Sequence, residues 1–254
     1  MRSPVLRMKI SASIITLNEE RNLPRALESL RCCDEILVVD CGSQDRTVEI
    51  AKTYNARVIQ AEWRGYAGQK NYASDQAAYD WVLSIDADEA LSEELEAEIW
   101  QLKQDGPRYD AYSFPRLAQY LGKWILHSGW YPDRKIRLFD RRTARWVGEY
   151  VHESVVAEQV PGELNGNLLH YTCETLGAHL RSLDHYTTLA ASEVVAQGRR
   201  VGAPQLLLNP LWSFLRTYVF QAGFLDGVEG LTIAYMASLY TFLKYSKARA
   251  ALPR

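Results

Sequence analysis

The chain has 254 residues, of which 47% are apolar and 24% charged, with a formal net charge of −2. This composition is ordinary for a globular protein, and it argues against a disordered chain, a collagen-like repeat and a polybasic nucleic-acid binder. The four cysteines show neither C-x-x-C spacing nor a Cys/His cluster, so we expect no disulfide framework and no structural zinc site. The first ten residues lack the apolar run of a signal peptide, which predicts a cytoplasmic protein.

Apolar runs and amphipathic stretches alternate over the first hundred residues. The pattern predicts strands at 10–16, 36–40, 57–60 and 81–86 and helices at 20–30, 45–54, 67–77 and 92–103. Strands separated by helices are typical of βαβ units, so the pattern predicts an α/β fold with a mostly parallel central sheet.

The pattern changes after residue 107. Short predicted strands follow at 111–116, 135–139, 144–147 and 154–157, without the earlier strand–helix alternation, and a helix is predicted at 176–197. We therefore expect one domain over 8–175, with a small antiparallel part of the sheet, and a helical C-terminal extension over 176–254.

The C-terminal extension differs in composition from the rest of the chain. The last 56 residues contain seven basic and two acidic side chains, and their longest uncharged runs, 201–215 and 230–243, are shorter than the about 20 residues of a spanning helix. We expect amphipathic helices that lie on a membrane surface. The residues expected to contact the membrane are Trp212, Phe214, Phe220, Phe224, Arg216, Lys244 and Lys247. The alternative is a helical pair packed on the first domain or on a second subunit.

Acidic residues end three of the predicted strands. Asp40 ends I-L-V-V-D, Asp86 and Asp88 follow W-V-L-S, and the segment 16–20 ends the first strand. Ligands of open parallel sheets bind outside the carboxyl ends of the strands. Asp86 and Asp88 would point to the same side of an extended chain, and two such carboxylates suit a divalent cation shared with substrate phosphates.

Each of these residues also has a purely structural interpretation. Asp86-Ala87-Asp88 could be an acidic loop before the helix that starts near Ser92, and Asp40 could be a turn residue paired with Gly42. Asp45 is expected to cap a helix, and Glu19 could complement a helix dipole. The sequence has no G-x-G-x-x-G after a strand, no P-loop motif and no G-x-S-x-G motif, so a phosphate ligand would depend on a metal held by carboxylates.

Four motifs, taken together, resemble the nucleotide-sugar domain of glycosyltransferase family 2. These motifs are I-I-T-L-N-E-E (14–20), V-V-D-C-G-S-Q-D-R-T (38–47), G-Q-K-N (68–71) and S-I-D-A-D-E (84–89). Further segments resemble the lipopolysaccharide-core β-1,4-glucosyltransferase branch: G-W-Y-P-D-R-K-I-R-L-F-D-R (129–141), V-H-E (151–153), L-H-Y (169–171) and N-P-L-W-S-F-L-R-T-Y (209–218). The resemblance implies a GT-A fold, a Rossmann-like nucleotide-diphospho-sugar transferase, over 8–175.

The resemblance also implies roles for individual residues. Asp88 would bind a divalent metal, Mg²⁺ or Mn²⁺, together with His170, and Glu153 would be the catalytic base, with Asp133 as the reserve candidate. The residues implied in nucleotide-sugar binding are Thr16, Leu17, Glu19, Asp40, Lys70 and Asp86. His152-Glu153-Ser154 departs from the Glu-Asp base motif of several relatives. A lone His in an apolar stretch is more often a buried core residue than a ligand, and it is the resemblance that favours His170 as a ligand.

The implied enzyme is an inverting, metal-dependent glycosyltransferase. It would transfer a hexose, glucose from UDP-glucose, to a lipid-linked saccharide acceptor of the lipopolysaccharide or lipooligosaccharide inner core, at the cytoplasmic face of the inner membrane. No nucleic acid is expected as a partner, and self-association is left open. The alternatives are a nucleotidyltransferase with a metal on Asp86 and Asp88, and a non-catalytic nucleotide-sugar-binding module at the membrane.

Overall fold

A computed structural model describes residues 8–148, 153–198 and 201–251. These residues form two compact units. The first contains the residues up to 116 and 133–170, and the second contains 117–132 and the residues from 171 onwards.

The secondary structure alternates as predicted in the first half of the chain. The helices are α1 (Leu23–Glu28), α2 (Thr47–Thr53), α3 (Tyr66–Gln76), α4 (Glu93–Asp105), α5 (Leu176–Ala196), α6 (Ala203–Leu215) and α7 (Gly227–Ala251). The strands are β1 (Ile10–Thr16), β2 (Glu35–Asp40), β3 (Arg57–Gln60), β4 (Trp81–Asp86), β5 (Glu89–Leu91), β6 (Ala111–Tyr120), β7 (Lys123–Trp124), β8 (Asp133–Asp140), β9 (Ala144–Val147), β10 (Ser154–Ala157), β11 (Gly162–Glu163) and β12 (Leu168–Cys173).

The central sheet has the strand order β3-β2-β1-β4-β8-β6-β12-β5. Strands β3, β2, β1 and β4 are parallel to one another, whereas β8 runs antiparallel to β4 and to β6. Strands β9 and β10 form a separate antiparallel pair. The α/β class with a parallel sheet and a small antiparallel part is confirmed.

The parallel strands are apolar because helices cover both of their faces. Ile14 of β1 and Val38 of β2 pack in a core with α1, α2 and α4. Leu37 and Val39 point to the opposite face, where they pack with Ala73 of α3. Side chains alternate along a strand, so one short run of apolar residues supplies both cores.

Local backbone chemistry explains the differences from the predicted boundaries. Helix α1 begins three residues late, since Asn18 has a positive φ of 57° and Pro24 suits the first turn of a helix. Helix α4 begins after Ser92, whose hydroxyl accepts a hydrogen bond from the Leu95 amide at 3.3 Å. Strands β5, β7, β11 and β12 were not predicted, because β5, β7 and β11 have only two or three residues and the sequence of β12 (L-L-H-Y-T-C) shows no regular alternation of apolar and polar residues.

The second unit is built around α5, α6 and α7. A π-helical turn (Arg216–Phe220) and a 3-10 turn (Gly223–Asp226) connect α6 to α7. The buried carboxylate of Asp226 accepts hydrogen bonds from the amides of Leu126 and His127 at 3.2 and 3.1 Å, which ties the segment 117–132 to this turn. Over the described ranges, none of the helices combines the length and apolar character needed to cross a bilayer.

Candidate active site

The carboxyl ends of parallel strands bring three of the predicted residues to one edge of the sheet. Thr16 at the end of β1 lies opposite Asp40 of β2, and Ile15 lies opposite Asp86 of β4. This is the edge at which open α/β sheets bind ligands. Thr16, Asp40 and Asp86 are thus neighbours along one sheet edge.

The carboxylate of Asp40 is fully buried and is bound by its own turn. Its Oδ2 accepts hydrogen bonds from the amides of Gly42 and Ser43 at 3.0 and 2.9 Å, and its Oδ1 accepts from the hydroxyl of Thr16 at 3.1 Å. Gly42 has a φ of +96°, a conformation that side chains disfavour. Asp40 therefore shapes this turn, which was its structural interpretation, while its contact with a nucleotide stays a prediction.

The loop after β1 is held against the loop after β2. The amide of Asn18 donates to the Ser43 hydroxyl at 2.8 Å, and the amide of Glu19 donates to the Thr47 hydroxyl at 2.7 Å. Leu17 lies between the end of β1 and these two hydrogen bonds, and it is 54% exposed. The predicted 16–19 segment is therefore a tethered loop with one exposed apolar side chain.

Glu19 faces the carboxylates of the same edge. Burial raises the pKa of Glu19, a hydrogen bond from Asn22 lowers it, and the negative charges of Asp88, Asp45 and Asp86 raise it further, so that the pKa lies above its ordinary value. The edge therefore concentrates negative charge, which favours a bound cation.

Two buried cations hold the two carboxylate oxygens of Asp86. Lys70 Nζ lies 2.8 Å from Oδ1, and Arg137 Nη2 lies 2.9 Å from Oδ2. The side chains of Lys70 and Arg137 are only 2% and 4% exposed. Burial by itself would raise the pKa of Asp86, but the charges of Arg137 and Lys70 hold this pKa well below its ordinary value. Asp86 is an ion-paired anchor of the edge.

Glu89 is a site residue that the sequence reasoning missed. It is fully buried, its Oε1 lies 2.8 Å from Arg137 Nη2, and its Oε2 accepts a hydrogen bond from the Asp86 amide at 2.9 Å. Burial lowers the pKa of Arg137, but Glu89 and Asp86 raise it above its ordinary value. The only sequence signal was an acidic residue directly after D-A-D, and acidic residues are rarely buried without a partner.

Trp146 of β9 packs against both buried cations. The ring centroid lies 4.4 Å from Lys70 Nζ and 5.2 Å from Arg137 Cζ, within range of cation–π attraction. The side chain of Asn71 donates to the Trp146 carbonyl at 2.8 Å and accepts from its amide at 3.1 Å, which joins β9 to α3. Trp146 thereby links the small antiparallel sheet to the two cations that bind Asp86.

Asp88 and His170 are brought together from distant parts of the chain. Strand β12 pairs with β5 so that His170 lies opposite Glu89, and His170 Nε2 lies 3.2 Å from Asp88 Oδ2. Both side chains are partly exposed, at 16% and 31%. They are the two residues predicted as metal ligands.

The donor set of Asp88 and His170 fits a divalent cation that shares its ligands with a substrate. One carboxylate and one imidazole leave several coordination positions open, which Mg²⁺ and Mn²⁺ commonly fill with phosphate oxygens and water. Within the described ranges, no group of three or more His, Cys, Asp or Glu side chains is arranged as a metal site. Among the described residues, Asp88 and His170 are therefore the two side chains that we consider as ligands.

The two candidate bases have different surroundings. Glu153 lies directly before β10, and its Oε1 is 3.0 Å from Lys70 Nζ. Asp133 has one oxygen 2.8 Å from Arg116 and the other 2.9 Å from Lys135. Residues 151 and 152 of the V-H-E motif lie outside the described residues. Glu153 thus shares Lys70 with Asp86, whereas Asp133 lies between two other cations.

Comparison with known proteins identifies the family. The model of the family "Glycosyl transferase family 2" matches residues 11–155. A glycosyltransferase of Rickettsia typhi is 34% identical over 253 residues, covering 95% of this chain and 87% of the relative. The lipopolysaccharide core biosynthesis glycosyltransferase LpsC of Rhizobium meliloti is 32% identical over 248 residues, covering 95% of this chain and 92% of the relative.

Among solved structures, S. aureus TarS 1–349 matches with a TM-score of 0.45 and 16% identity over 96% of this chain and 91% of that chain. The family match and the curated relatives confirm the resemblance drawn from the four sequence motifs. They also confirm that the enzyme class is glycosyl transfer and not nucleotidyl transfer. The chain belongs to glycosyl transferase family 2 and has the GT-A fold of that family.

Proposed function

We propose that the protein is an inverting hexosyltransferase that transfers glucose from UDP-glucose to a saccharide acceptor of the lipopolysaccharide inner core, with a β-linked product. Family membership supports glycosyl transfer. The name of the LpsC relative supports the acceptor class, since that protein acts in lipopolysaccharide core biosynthesis. The choice of glucose and of UDP rests on the resemblance of the motifs.

The observation that carries the proposal is the sharing of one ammonium by two carboxylates. Lys70 Nζ lies 2.8 Å from Asp86 at the end of β4 and 3.0 Å from Glu153 before β10. Asp86 belongs to the predicted donor site, and Glu153 is the predicted base. A base must lie within reach of the hydroxyl that attacks the donor sugar, so this arrangement suits direct transfer.

We assign the base role to Glu153. Its carboxylate would accept the proton of the acceptor hydroxyl as this oxygen attacks the anomeric carbon from the side opposite the nucleotide. Attack from the opposite side inverts an α-linked donor to a β-linked product. Among the described residues, both oxygens of Asp133 contact cations, whereas only one oxygen of Glu153 does. Asp133 therefore remains the second choice.

The remaining edge residues would bind and orient the donor. The tethered loop 16–19 and the turn shaped by Asp40 would enclose the nucleoside, and Lys70 and Arg137 would keep Asp86 in a fixed direction. Asp88 and His170 would hold Mg²⁺ or Mn²⁺. Such a cation, when bound, neutralises the charge of the departing diphosphate.

We place the protein at the cytoplasmic face of the inner membrane, in peripheral contact through the 176–254 extension. A lipid-linked saccharide acceptor would be presented at that surface. Light scattering of the purified protein measures whether it self-associates.

A donor screen tests the proposed function. Thermal unfolding is followed with UDP-, GDP-, CMP- and ADP-sugars, with and without Mn²⁺, because a ligand that binds only the native state raises the melting temperature. We expect UDP-glucose with Mn²⁺ to give the largest increase, and transfer of radiolabelled glucose to a truncated inner-core saccharide to follow. A larger increase with a GDP-, CMP- or ADP-sugar would contradict the proposed donor.

A further inference from the structure

Helix α6 and the turn after it carry their apolar side chains on the outside. The exposed residues recur at helical spacing and are, apart from Arg216, apolar: Ala203, Pro204, Leu207, Leu208, Leu211, Trp212, Leu215, Val219 and Phe220. Leu207 is 68% exposed and Phe220 is 70% exposed. We call these nine residues the outer stripe. It extends over roughly 25 Å at the rise of a helix.

The polar residues of the same segment face the other way. Ser213 donates a hydrogen bond to the carbonyl of Ala237 in α7 at 3.1 Å, and Thr217 is buried. Gln205 accepts a hydrogen bond from the Gly202 amide at 2.9 Å. An amphipathic helix of a globular protein normally turns its apolar stripe inward, so the orientation of α6 is inverted.

This orientation corrects part of the sequence expectation. Trp212 and Phe220 lie on the outer stripe, with ring centroids 5.4 Å apart. Phe214 instead stacks on Tyr218 at 5.5 Å and contacts Tyr235 of α7.

Lys247 was expected near headgroups, but its Nζ binds Asp184 at 2.8 Å and Thr187 at 2.9 Å within the second unit. Membrane contact should therefore come from the outer stripe and not from this lysine.

The charge of the segment favours one kind of partner. Residues 201–225 contain no acidic side chain, and Arg216 beside the outer stripe is their one charged residue. The next acidic residue, Asp226, is buried and accepts a hydrogen bond from Ser128 at 2.8 Å. An apolar face with a cation and without an anion is complementary to a surface of anionic lipid headgroups.

We propose that the outer stripe docks on an anionic lipid bilayer, with α6 parallel to the membrane plane and Trp212 and Phe220 among the apolar tails. A contiguous apolar surface of this length is unusual on a protein that remains in water. Trp is favoured at the boundary between headgroups and tails because its ring is amphipathic. The choice of a bilayer as the partner rests on the proposed lipid-linked acceptor.

Vesicle flotation tests the proposal on the full chain. The wild type is mixed with vesicles of 30% phosphatidylglycerol in phosphatidylcholine, or of phosphatidylcholine alone, and the floating fraction is measured. The test variant is Trp212→Glu, whose side chain is 56% exposed, and the matched control is Val160→Glu, 83% exposed in the first unit. We expect the wild type and Val160→Glu to float with anionic vesicles, and Trp212→Glu to bind at least tenfold more weakly.

Three outcomes would overturn the proposal. In the first, the wild type does not bind anionic vesicles. In the second, Trp212→Glu floats as well as the wild type. In the third, the wild type binds no vesicles, and light scattering shows that it is a dimer that Trp212→Glu converts to a monomer. The last result would assign the outer stripe to a second copy of the chain. Vesicle flotation measures membrane binding and does not require enzyme activity. The flotation result can therefore be interpreted even if the proposed donor or acceptor is wrong. The melting temperatures of both variants confirm that they are folded.

Discussion

Lys70 and Glu153 meet across 83 residues of sequence, with the ammonium nitrogen 3.0 Å from a carboxylate oxygen. Lys70 lies in the middle of α3, the helix that follows β3, and Glu153 lies just before β10, the second strand of the small antiparallel sheet. The same ammonium binds Asp86 at the end of β4. One buried cation therefore connects the D-A-D motif to the residue that we assign as the base.

Replacing the assigned base should separate binding from chemistry. We expect Glu153→Gln to reduce glucose transfer by about 10²- to 10⁴-fold, because general base catalysis contributes that range. The amide keeps the size of the side chain, so the increase in melting temperature with UDP-glucose should remain. Glu158→Gln, on the exposed loop after β10, is the control. Wild-type turnover in Glu153→Gln would transfer the base role to Asp133.

His170 should determine the cation requirement. We expect EDTA to abolish transfer and Mn²⁺ to restore it, and His170→Ala to raise the half-maximal Mn²⁺ concentration at least about tenfold, since loss of a metal-site residue commonly costs that much affinity. The measurement is a transfer assay over a Mn²⁺ titration. His185→Ala on the exposed face of α5 should behave as the wild type. An unchanged Mn²⁺ titration in His170→Ala would show that His170 is a structural residue.

The Arg137–Glu89 pair should be a large contributor to stability. Both side chains are almost fully buried and lie 2.8 Å apart. Arg137→Met leaves the Glu89 carboxylate without its closest cation, and breaking such a pair typically costs about 3–5 kcal/mol. Glu89→Gln in the Arg137→Met background should cost less than it does alone, because Glu89 has then already lost its closest cation and keeps only Arg116, whose Nη1 lies 3.6 Å away. Urea unfolding of the two single variants and the double variant measures this coupling, and additive effects would show that the pair is not coupled.

His179 should give the stability of the second unit a pH dependence. Burial lowers the pKa of His179 below its ordinary value of about 6.5, and its Nδ1 lies 2.8 Å from the Tyr120 hydroxyl. The unfolded chain therefore binds a proton at a higher pH than the folded chain does. The free energy of unfolding should decrease as the pH falls below 6.5, until the pH reaches the lowered pKa.

His179→Gln should weaken this decrease, and unfolding curves between pH 5 and 8 for both proteins measure the difference. Equal slopes in the two proteins would show that other groups cause the pH dependence.

The sequence alone determined the α/β class, the parallel strands β1 to β4 and the acidic residues at their ends. These features follow from local periodicity, because apolar runs buried on both faces have to be parallel strands under helices. The four family motifs were also visible, since each is a short contiguous segment. Asp40 and Asp86 each end a predicted parallel strand, so the sequence already indicated that they lie at one edge of the sheet.

Only the tertiary structure decided which charges meet. Arg137 and Trp146 lie more than 45 residues from Asp86 in sequence, and Glu89 looked like an ordinary acidic residue until β8 placed Arg137 beside it. The sequence also did not indicate which face of α6 packs against the rest of the second unit. Periodicity shows that a helix has an apolar stripe, but it does not show whether that stripe faces inward or outward. Strand pairing and helix packing bring together residues that are distant in sequence. They depend on burial and charge neutralisation over the whole fold, and not on neighbouring residues in the chain.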